Sequence, residues 1–259
     1  MNQAKNFIIW NIRGGNNEDF RRNFHDIIGT HHPCMVTLLE TRMTSHGNLM
    51  NDFGFTYMIE VPAEGQSGGM TVLWDMSKVN VNNFVRRNNE IHAVIEVPHI
   101  RHPWLFSSIY ASTKIASRNQ IWDNITNTFD NYKGAWLLGG DFNDWEANEK
   151  LGGNPVNRRR VAKLWSKINY YNIMDLGFKG CKYIWSNNRK YRSNLIMERL
   201  DNIFSNDSWI NLFPKASVIH LPKIYSDHNP ILLELIPKVN NLNPKPFRLE
   251  SFLVWSPRV

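Results

Sequence analysis

An apolar run, Trp136-Leu137-Leu138, feeds two glycines and then places Asp141 and Asn143 two residues apart. If the run is a strand, positions i and i+2 share a face. A carboxylate and a carboxamide then leave one edge of a sheet together. Glycines just before them let a backbone or a ligand come close. Such a pair can hold a hydrated metal ion or orient an attacking water. The plainer alternative is an Asx-rich turn that ends a strand. Other polar residues of catalytic type also stand where apolar runs stop. Asn11 follows the run 7–10, Glu40 follows 35–39, and Tyr110 closes 104–110. Asp201 lies in Arg199-Leu200-Asp201-Asn202, and Ser226-Asp227-His228-Asn229-Pro230 precedes the last run.

Taken singly, each residue has a structural alternative. Asn11 and Asn143 suit turns, Glu40 can pair with Arg42, and Tyr110 can be a half-buried strand aromatic. Asp201 can neutralise Arg199, Asp227 can cap the turn before Pro230, and His228 can be a satisfied structural histidine. Their joint occurrence at successive strand ends favours chemistry, because sites in α/β proteins gather where strand ends meet loops.

The elements that must position them follow from periodicity. Residues 7–10 form a short buried strand. Residues 19–28 have helical spacing through Phe20, Phe24, Ile27 and Ile28, with Asn17 as N-cap. The run 35–39 is a second strand, and the order strand, helix, strand is an α/β unit. A turn at 65–69 leads into a strand at 70–74. Runs at 79–85, 91–97 and 104–110, separated by turn signals, suit an antiparallel meander. Helices are expected at 117–129 and 161–168, short strands at 182–185 and 200–204, and a helical turn at 208–213. Strands at 218–221 and 231–236 close the set. The domain is expected over 1–237, and a Pro- and Asn-rich linker with an aromatic tail over 238–259.

The totals bound what this architecture does. The chain has 259 residues, 42% hydrophobic and 12% aromatic, which excludes disorder over most of its length. Its net charge is +7. A basic surface suits nucleic acid, anionic lipid or phosphorylated substrates without choosing among them. Two cysteines, Cys34 and Cys181, cannot build a disulfide framework or a cysteine-based zinc site. Both are expected as buried thiols in a reducing compartment. The first apolar run is too short for a signal peptide or a membrane span. The protein is therefore expected inside the cell, working on soluble material.

The motifs Trp-Asn-Ile-Arg-Gly at 10–14, Leu-Leu-Glu-Thr-Arg at 38–42, Gly-Gly-Asp-Phe-Asn at 139–143, Arg-Leu-Asp at 199–201 and Ser-Asp-His-x-Pro at 226–230 resemble the endonuclease/exonuclease/phosphatase superfamily. Within it the chain most resembles the abasic-endonuclease-like domain of LINE-type (non-LTR) retrotransposons, particularly those of plant genomes. Ser67-Gly68-Gly69-Met70 with Trp74, and Glu198 to Asp201 with Ser208-Trp209, support that branch. The likeness covers about residues 5–237. It implies a DNase I-like, four-layered α/β sandwich, with two mixed β-sheets packed face to face and helices outside. It also implies a Mg²⁺-dependent (or Mn²⁺-dependent) phosphodiesterase that nicks duplex DNA and leaves a 3′-hydroxyl.

Carried over residue by residue, the resemblance gives Glu40 and Asn11 the metal and makes Asp227 a support for the metal or the leaving oxygen. Asp141, with Asn143 beside it, orients or deprotonates the attacking water. His228 meets the scissile phosphate, and Asp201 fixes its ring. Tyr110 donates to a phosphate oxygen, and Ser226 steadies the loop. Basic residues near these motifs favour DNA as partner. Arg158, Arg159, Arg160 and Lys163 can face a phosphate backbone, although a solvated helix face is the plainer reading. Trp185 and Tyr191, among Lys179, Lys182, Arg189, Lys190 and Arg192, can wedge or stack at a groove.

The sequence departs from the pattern in places. Arg13 stands where abasic-site repair enzymes carry Asp, Thr113 where they use Asn, and Ile184 where many retrotransposon relatives have Thr. These departures weigh against abasic-site repair. No polymerase pattern follows the tail, so the chain is expected to be a monomeric domain detached from a reverse transcriptase, acting in the nucleus. Two rivals stand beside the endonuclease: a phosphatase of a small phosphoester such as an inositol phosphate, and a catalytically silent remnant that binds nucleic acid.

Overall fold

A computed structural model describes residues 5–100, 102–111, 115–143, 149–155 and 158–236. The linker and aromatic tail expected over 238–259, and Thr113, lie outside the described residues. Strand β1 (Asn6–Asn11), helix α1 (Glu18–His31) and strand β2 (Met35–Leu39) come first, and β1 and β2 pair in parallel. The expected α/β unit is present, and the Asn17 side chain caps α1 by accepting from the Phe20 N–H. Helix α2 (Gly47–Asp52) and strands β3 (Tyr57–Glu64) and β4 (Ser67–Trp74) follow. Next come β5 (Asn80–Arg87), β6 (Glu90–Glu96) and β7 (Trp104–Tyr110), an antiparallel meander as the turn signals required. Helix α3 (Ile115–Asn131) crosses over to β8 (Trp136–Asp141), which pairs in parallel with β7.

The second half carries shorter pieces. These are β9 (Lys150–Leu151), α4 (Arg158–Tyr170), β10 (Ile173–Asp175), β11 (Lys179–Gly180), β12 (Trp185–Ser186), β13 (Met197–Glu198) and β14 (Asp201–Asn206). Helix α5 (Asp207–Leu212) and strands β15 (Ser217–His220) and β16 (Ile231–Glu234) complete the fold. The single strand expected at 182–185 is instead two pieces, β11 and β12, joined by a loop. Cys181 in that loop is exposed, against the expectation of a second buried thiol, because Lys179, Gly180 and Lys182 around it are polar or small and face water. Cys34 is buried, and burial pushes its thiol up to about 12.

One sheet runs β11-β15-β16-β1-β2-β4-β3 and the other β10-β14-β8-β7-β6-β5, with β12-β13-β9 as a small third sheet. Alternation along β1 sorts the layers. Phe7 and Ile9 join a core with Trp104, Phe106, Leu137 and Ile203 of the other sheet. Ile8 and Trp10 join Phe20, Phe24 and Leu49 of α1 and α2. On the far side, Leu138 and Phe204 pack on Ile121, Ile125, Leu164 and Ile168 of α3 and α4. Helices, sheet, sheet and helices therefore stack as four layers, the α/β sandwich that the motifs implied.

The two glycines of the β8 motif are forced, Gly139 by this stacking and Gly140 by the neighbouring strand β7. A Cβ on Gly139 would lie 2.4 Å from Ile9 Cδ1 of the opposing sheet. A Cβ on Gly140 would lie 1.9 Å from the Ile109 carbonyl oxygen, and its φ is +146. The first clash involves the end of a flexible side chain and the second involves backbone. Gly139→Ala is expected to cost about 1–3 kcal/mol, and Gly140→Ala clearly more, about 4 kcal/mol or beyond. Urea unfolding of the two variants checks the order; equal midpoints would contradict the close approach of β7 to β8.

Candidate active site

The site is assembled from both sheets. On the β7-β8-β14 side, register sets residues abreast: Tyr110 pairs with Asp141, and Asp141 with Asp201. On the other side, Asn11 ends β1 opposite Leu39, which places Glu40 next to it. His228 precedes β16 and is tied to β1, since the Trp10 indole N–H donates to the His228 carbonyl at 3.0 Å. Sequence reasoning expected these residues to converge, and among the described residues they do.

Asp141 lies at the seam, 1% exposed. Its Oδ2 accepts from Asn11 Nδ2 at 2.9 Å, and its Oδ1 accepts from the Asn143 backbone N–H at 3.0 Å. β8 ends at Asp141, so strand alternation does not carry Asn143 to the same face. Asn143 takes φ +49 in a turn, and its Nδ2 donates to the Ala111 carbonyl at 2.6 Å. The Asx turn and the site are thus the same structure. Buried Arg118 of α3 holds that turn by donating to the Asn143 carbonyl at 3.2 Å.

His228 is fully buried, and its Nδ1–H donates to Asp201 Oδ2 at 2.6 Å. Its Nε2 has no hydrogen-bond partner among the described residues and stands 3.9 Å from Asp141 Oδ2. Burial by itself lowers the imidazole, but the Asp201 charge and hydrogen bond outweigh it, with Asp141 and Asp227 adding, and raise it to about 9. Burial and the Asp201 carboxylate push Asp141 up to about 7 against the His228 charge. Tyr110 is raised by burial and by Glu40 and Asp141, so its phenol keeps its proton.

Glu40 sits at φ +52, and its Oε2 accepts from Asn11 Nδ2 at 3.4 Å. Its Oε1 pairs with Arg42 Nη2 at 3.0 Å, the pairing expected as the structural alternative. The loop behind it is clamped by residues that sequence reasoning passed over. Glu60 accepts from His46 Nδ1 at 2.9 Å, and His46 Nε2 accepts from the Thr41 hydroxyl at 2.7 Å. Thr41 and His46 are fully buried. Gly69 has to lack a side chain here, because a Cβ would lie 2.5 Å from Thr41 Oγ1. No sequence spacing announces this relay.

Asp227 is gathered in as well. Arg13 Nε is 3.0 Å from its Oδ1, the Trp185 indole N–H donates to its Oδ2 at 2.9 Å, and Ser226 Oγ donates to Oδ1 at 3.3 Å. Ser226 Oγ also accepts from the His228 backbone N–H at 3.2 Å. Trp185 therefore lines the site beside His228, while Tyr191 is 76% exposed on the loop between β12 and β13. Arg199 does not pair with Asp201; it bridges Glu149 and Asp175 and leaves Asp201 to the histidine. Arg158 and Arg159 are exposed in the first turn of α4. One turn later, Lys163 Nζ donates to Asn119 Oδ1 of α3 at 2.8 Å. The side chain of Arg160 lies outside the described residues.

Two groups of donors suggest a cation. Asp141, Asp201 and His228 each offer an atom within 4.8 Å of the others. An imidazolium bonded to Asp201 has no lone pair free, and metal ligation requires the neutral ring. The carboxylates of Glu40 and Asp227 with the Asn11 amide form the alternative, an all-oxygen set that suits a hard divalent ion.

Both large shifts have one consequence for stability. The folded protein holds protons on Asp141 and His228 that the unfolded chain has released, so stability falls as pH rises. The stabilisation from His228 is complete below 6.5 and lost as pH climbs through about 9. The cost of ionising buried Asp141 develops between 3.8 and about 7. In EDTA, the melting temperature is expected to drop between pH 5 and pH 9, and to drop less in Asp141→Asn. Calorimetry checks this; an equal drop in the variant would remove Asp141 from the account.

A family model described as the Endonuclease/Exonuclease/phosphatase family matches residues 8–228. Comparison with curated protein sequences gave no significant match. Solved structures that are similar include the endonuclease domain of TRAS1, a telomere-specific non-LTR retrotransposon, with TM-score 0.67 and 14% identity over 90% of this chain and 99% of that one. A 3′-5′ exonuclease from Neisseria meningitidis has TM-score 0.67 and 14% identity over 88% and 98%. TDP2 from D. rerio, complexed with single-strand DNA product, has TM-score 0.62 and 15% identity over 90% and 99%. At such identities the solved structures speak for the shared sandwich. The family model, by contrast, spans every strand-end residue from Asn11 to His228, and the chain belongs to the Endonuclease/Exonuclease/phosphatase family.

Proposed function

We propose that this protein is a divalent-metal-dependent phosphodiesterase that nicks duplex DNA and leaves a 3′-hydroxyl. The observation that carries the proposal is the buried Asp201–His228 pair facing Asp141, with Asn11 and Asn143 holding the Asp141 carboxylate from two sides. A phosphodiester is anionic, so the site has to supply positive charge and a base together.

These residues supply both at neutral pH. His228, raised to about 9, is an imidazolium whose buried Nε2–H has no acceptor among the described residues, and the proposal gives that proton's hydrogen bond to a non-bridging phosphate oxygen. Asp141, raised to about 7, is matched to taking a proton from water, since a general base works best near the operating pH. Tyr110 remains a phenol and donates to the phosphate. Water attacks phosphorus and gives its proton to Asp141, the bond from phosphorus to O3′ breaks, and the departing O3′ takes up a proton from solvent as the 3′-hydroxyl, so that one water is added in all and the phosphate stays on the 5′ side. Glu40 and Asn11 would hold Mg²⁺ or Mn²⁺, with Asp227 in support, and the ion would supply positive charge against the phosphoryl oxygens. Ser226 keeps Asp227 and His228 in place. The net charge of +7 and the exposed arginines at the start of α4 favour a polyanion over a small phosphoester.

Supercoiled plasmid with Mg²⁺ or Mn²⁺ tests the proposal. Conversion to open circle is expected, stopped by EDTA, and reduced by roughly 10²–10³ or more in His228→Ala. Turnover of inositol phosphate without nicking would replace DNA by a small phosphoester, and retention of plasmid in a gel shift without cleavage would favour a silent binding domain.

Among the described residues no helix is long and apolar enough to cross a membrane. A nuclear site of action and a monomeric state belong to the proposed retrotransposon-type role. The likeness to the TRAS1 domain supports that role through the fold they share.

A further inference from the structure

The carboxylates assigned to the ion already have a cation between them. Arg13 Nε lies 3.0 Å from Asp227 Oδ1 and 3.5 Å from Glu40 Oε2. Glu40 and Asp227 make no contact with each other that could hold them together; Arg13 is the link. Arg42 takes the other oxygen of Glu40. Arg13 is set in this position by its backbone, at φ +48, with its N–H donating to Asn11 Oδ1 at 3.2 Å. The conformation is costly for a residue with a Cβ. The Asn11 oxygen is thereby used as well.

We propose that Arg13 is an internal cation that stands in for the divalent ion, so that the ion binds only by displacing it from Glu40 and Asp227. The inference rests on the metal role given to those residues above. A divalent ion on Glu40 would bring two positive charges within a few ångströms of the Arg13 guanidinium, and like charges at that range repel strongly where solvent is limited. The Arg13 side chain is 38% exposed, so it has a way out toward solvent. Outside, it becomes a free guanidinium at the mouth of a site that receives a phosphodiester, and guanidinium pairs well with phosphate oxygens. Arg13 then weakens the ion alone and strengthens the ion together with a phosphate.

The test measures binding of Mn²⁺ itself, by electron paramagnetic resonance of the free ion, in the folded protein without DNA. Arg13→Gln is expected to bind Mn²⁺ about tenfold more tightly than wild type, the factor expected for removing one charge a few ångströms from a divalent ion near solvent. Arg13→Lys keeps the charge and stays close to wild type. Arg21→Gln removes an equal charge from a surface pair with Asp52 and also stays close to wild type. Equal affinity in Arg13→Gln and wild type, or equal tightening in Arg13→Lys and Arg13→Gln, overturns the inference and leaves the metal site standing. Glu40→Gln separates the two readings: if wild type and Glu40→Gln bind Mn²⁺ alike, the metal assignment itself fails.

Discussion

Burial of charge at the seam of two sheets is the constraint on which the rest depends. Asp141, Asp201 and His228 are removed from water almost completely. Ionised groups survive there only with partners, because desolvation costs more than most single contacts return. Asp201 and His228 satisfy each other directly. Asp141 relies on two hydrogen bonds and a more distant imidazolium, and it carries the strain of the arrangement as a raised affinity for a proton. The group left least stabilised as an anion is the one best placed to accept a proton in a reaction.

Glycines and turns are what make that burial possible. Gly139 lets β8 approach Ile9 of the opposing sheet, and Gly140 lets β8 bend against Ile109. The strand can then end with Asp141 facing the seam. Conformations costly for ordinary residues recur at the ends that carry function: Arg13, Glu40, Arg42 and Asn143 all have positive φ. Strain of this kind persists only where surrounding structure over-determines it. The relay from Thr41 through His46 to Glu60 does this for Glu40, and Arg118 does it for Asn143.

Much of this was legible in the sequence, for identifiable reasons. Buried central strands such as β1 and β2 are nearly continuous apolar runs, each ending at a polar residue of the candidate site; β7 carries Ser107 and Ser108 within it and likewise ends on one, Tyr110. Edge strand β3 escaped because it contains Pro62 and alternates with Glu60 and Glu64; an edge tolerates proline since half its backbone groups pair with nothing. The pieces β9, β10, β11 and β13 escaped, and β12 was met only at Trp185, because two or three residues carry no periodicity. Spacing along strands also misled at Asn143, where a left-handed turn replaced the alternation that was assumed. Above all, partners distant in sequence were invisible: nothing near Arg13 shows that it will lie between Glu40 and Asp227, or near Trp185 that its indole will bond Asp227.

The division of labour between the sheets bears on how the site behaves as a unit. One sheet brings Asn11, Glu40 and the 226–228 loop, and the other brings Tyr110, Asp141 and Asp201. Neither half holds both Asp141 and His228, so the candidate site exists only while the sheets are packed. Any opening of the sandwich separates Asp201 from His228 and admits water, which restores ordinary proton affinities to Asp141 and His228. The chemistry is therefore coupled to global packing more tightly than in a site built on one loop, and local fraying of β5 or β11 at the sheet edges can occur without disturbing it.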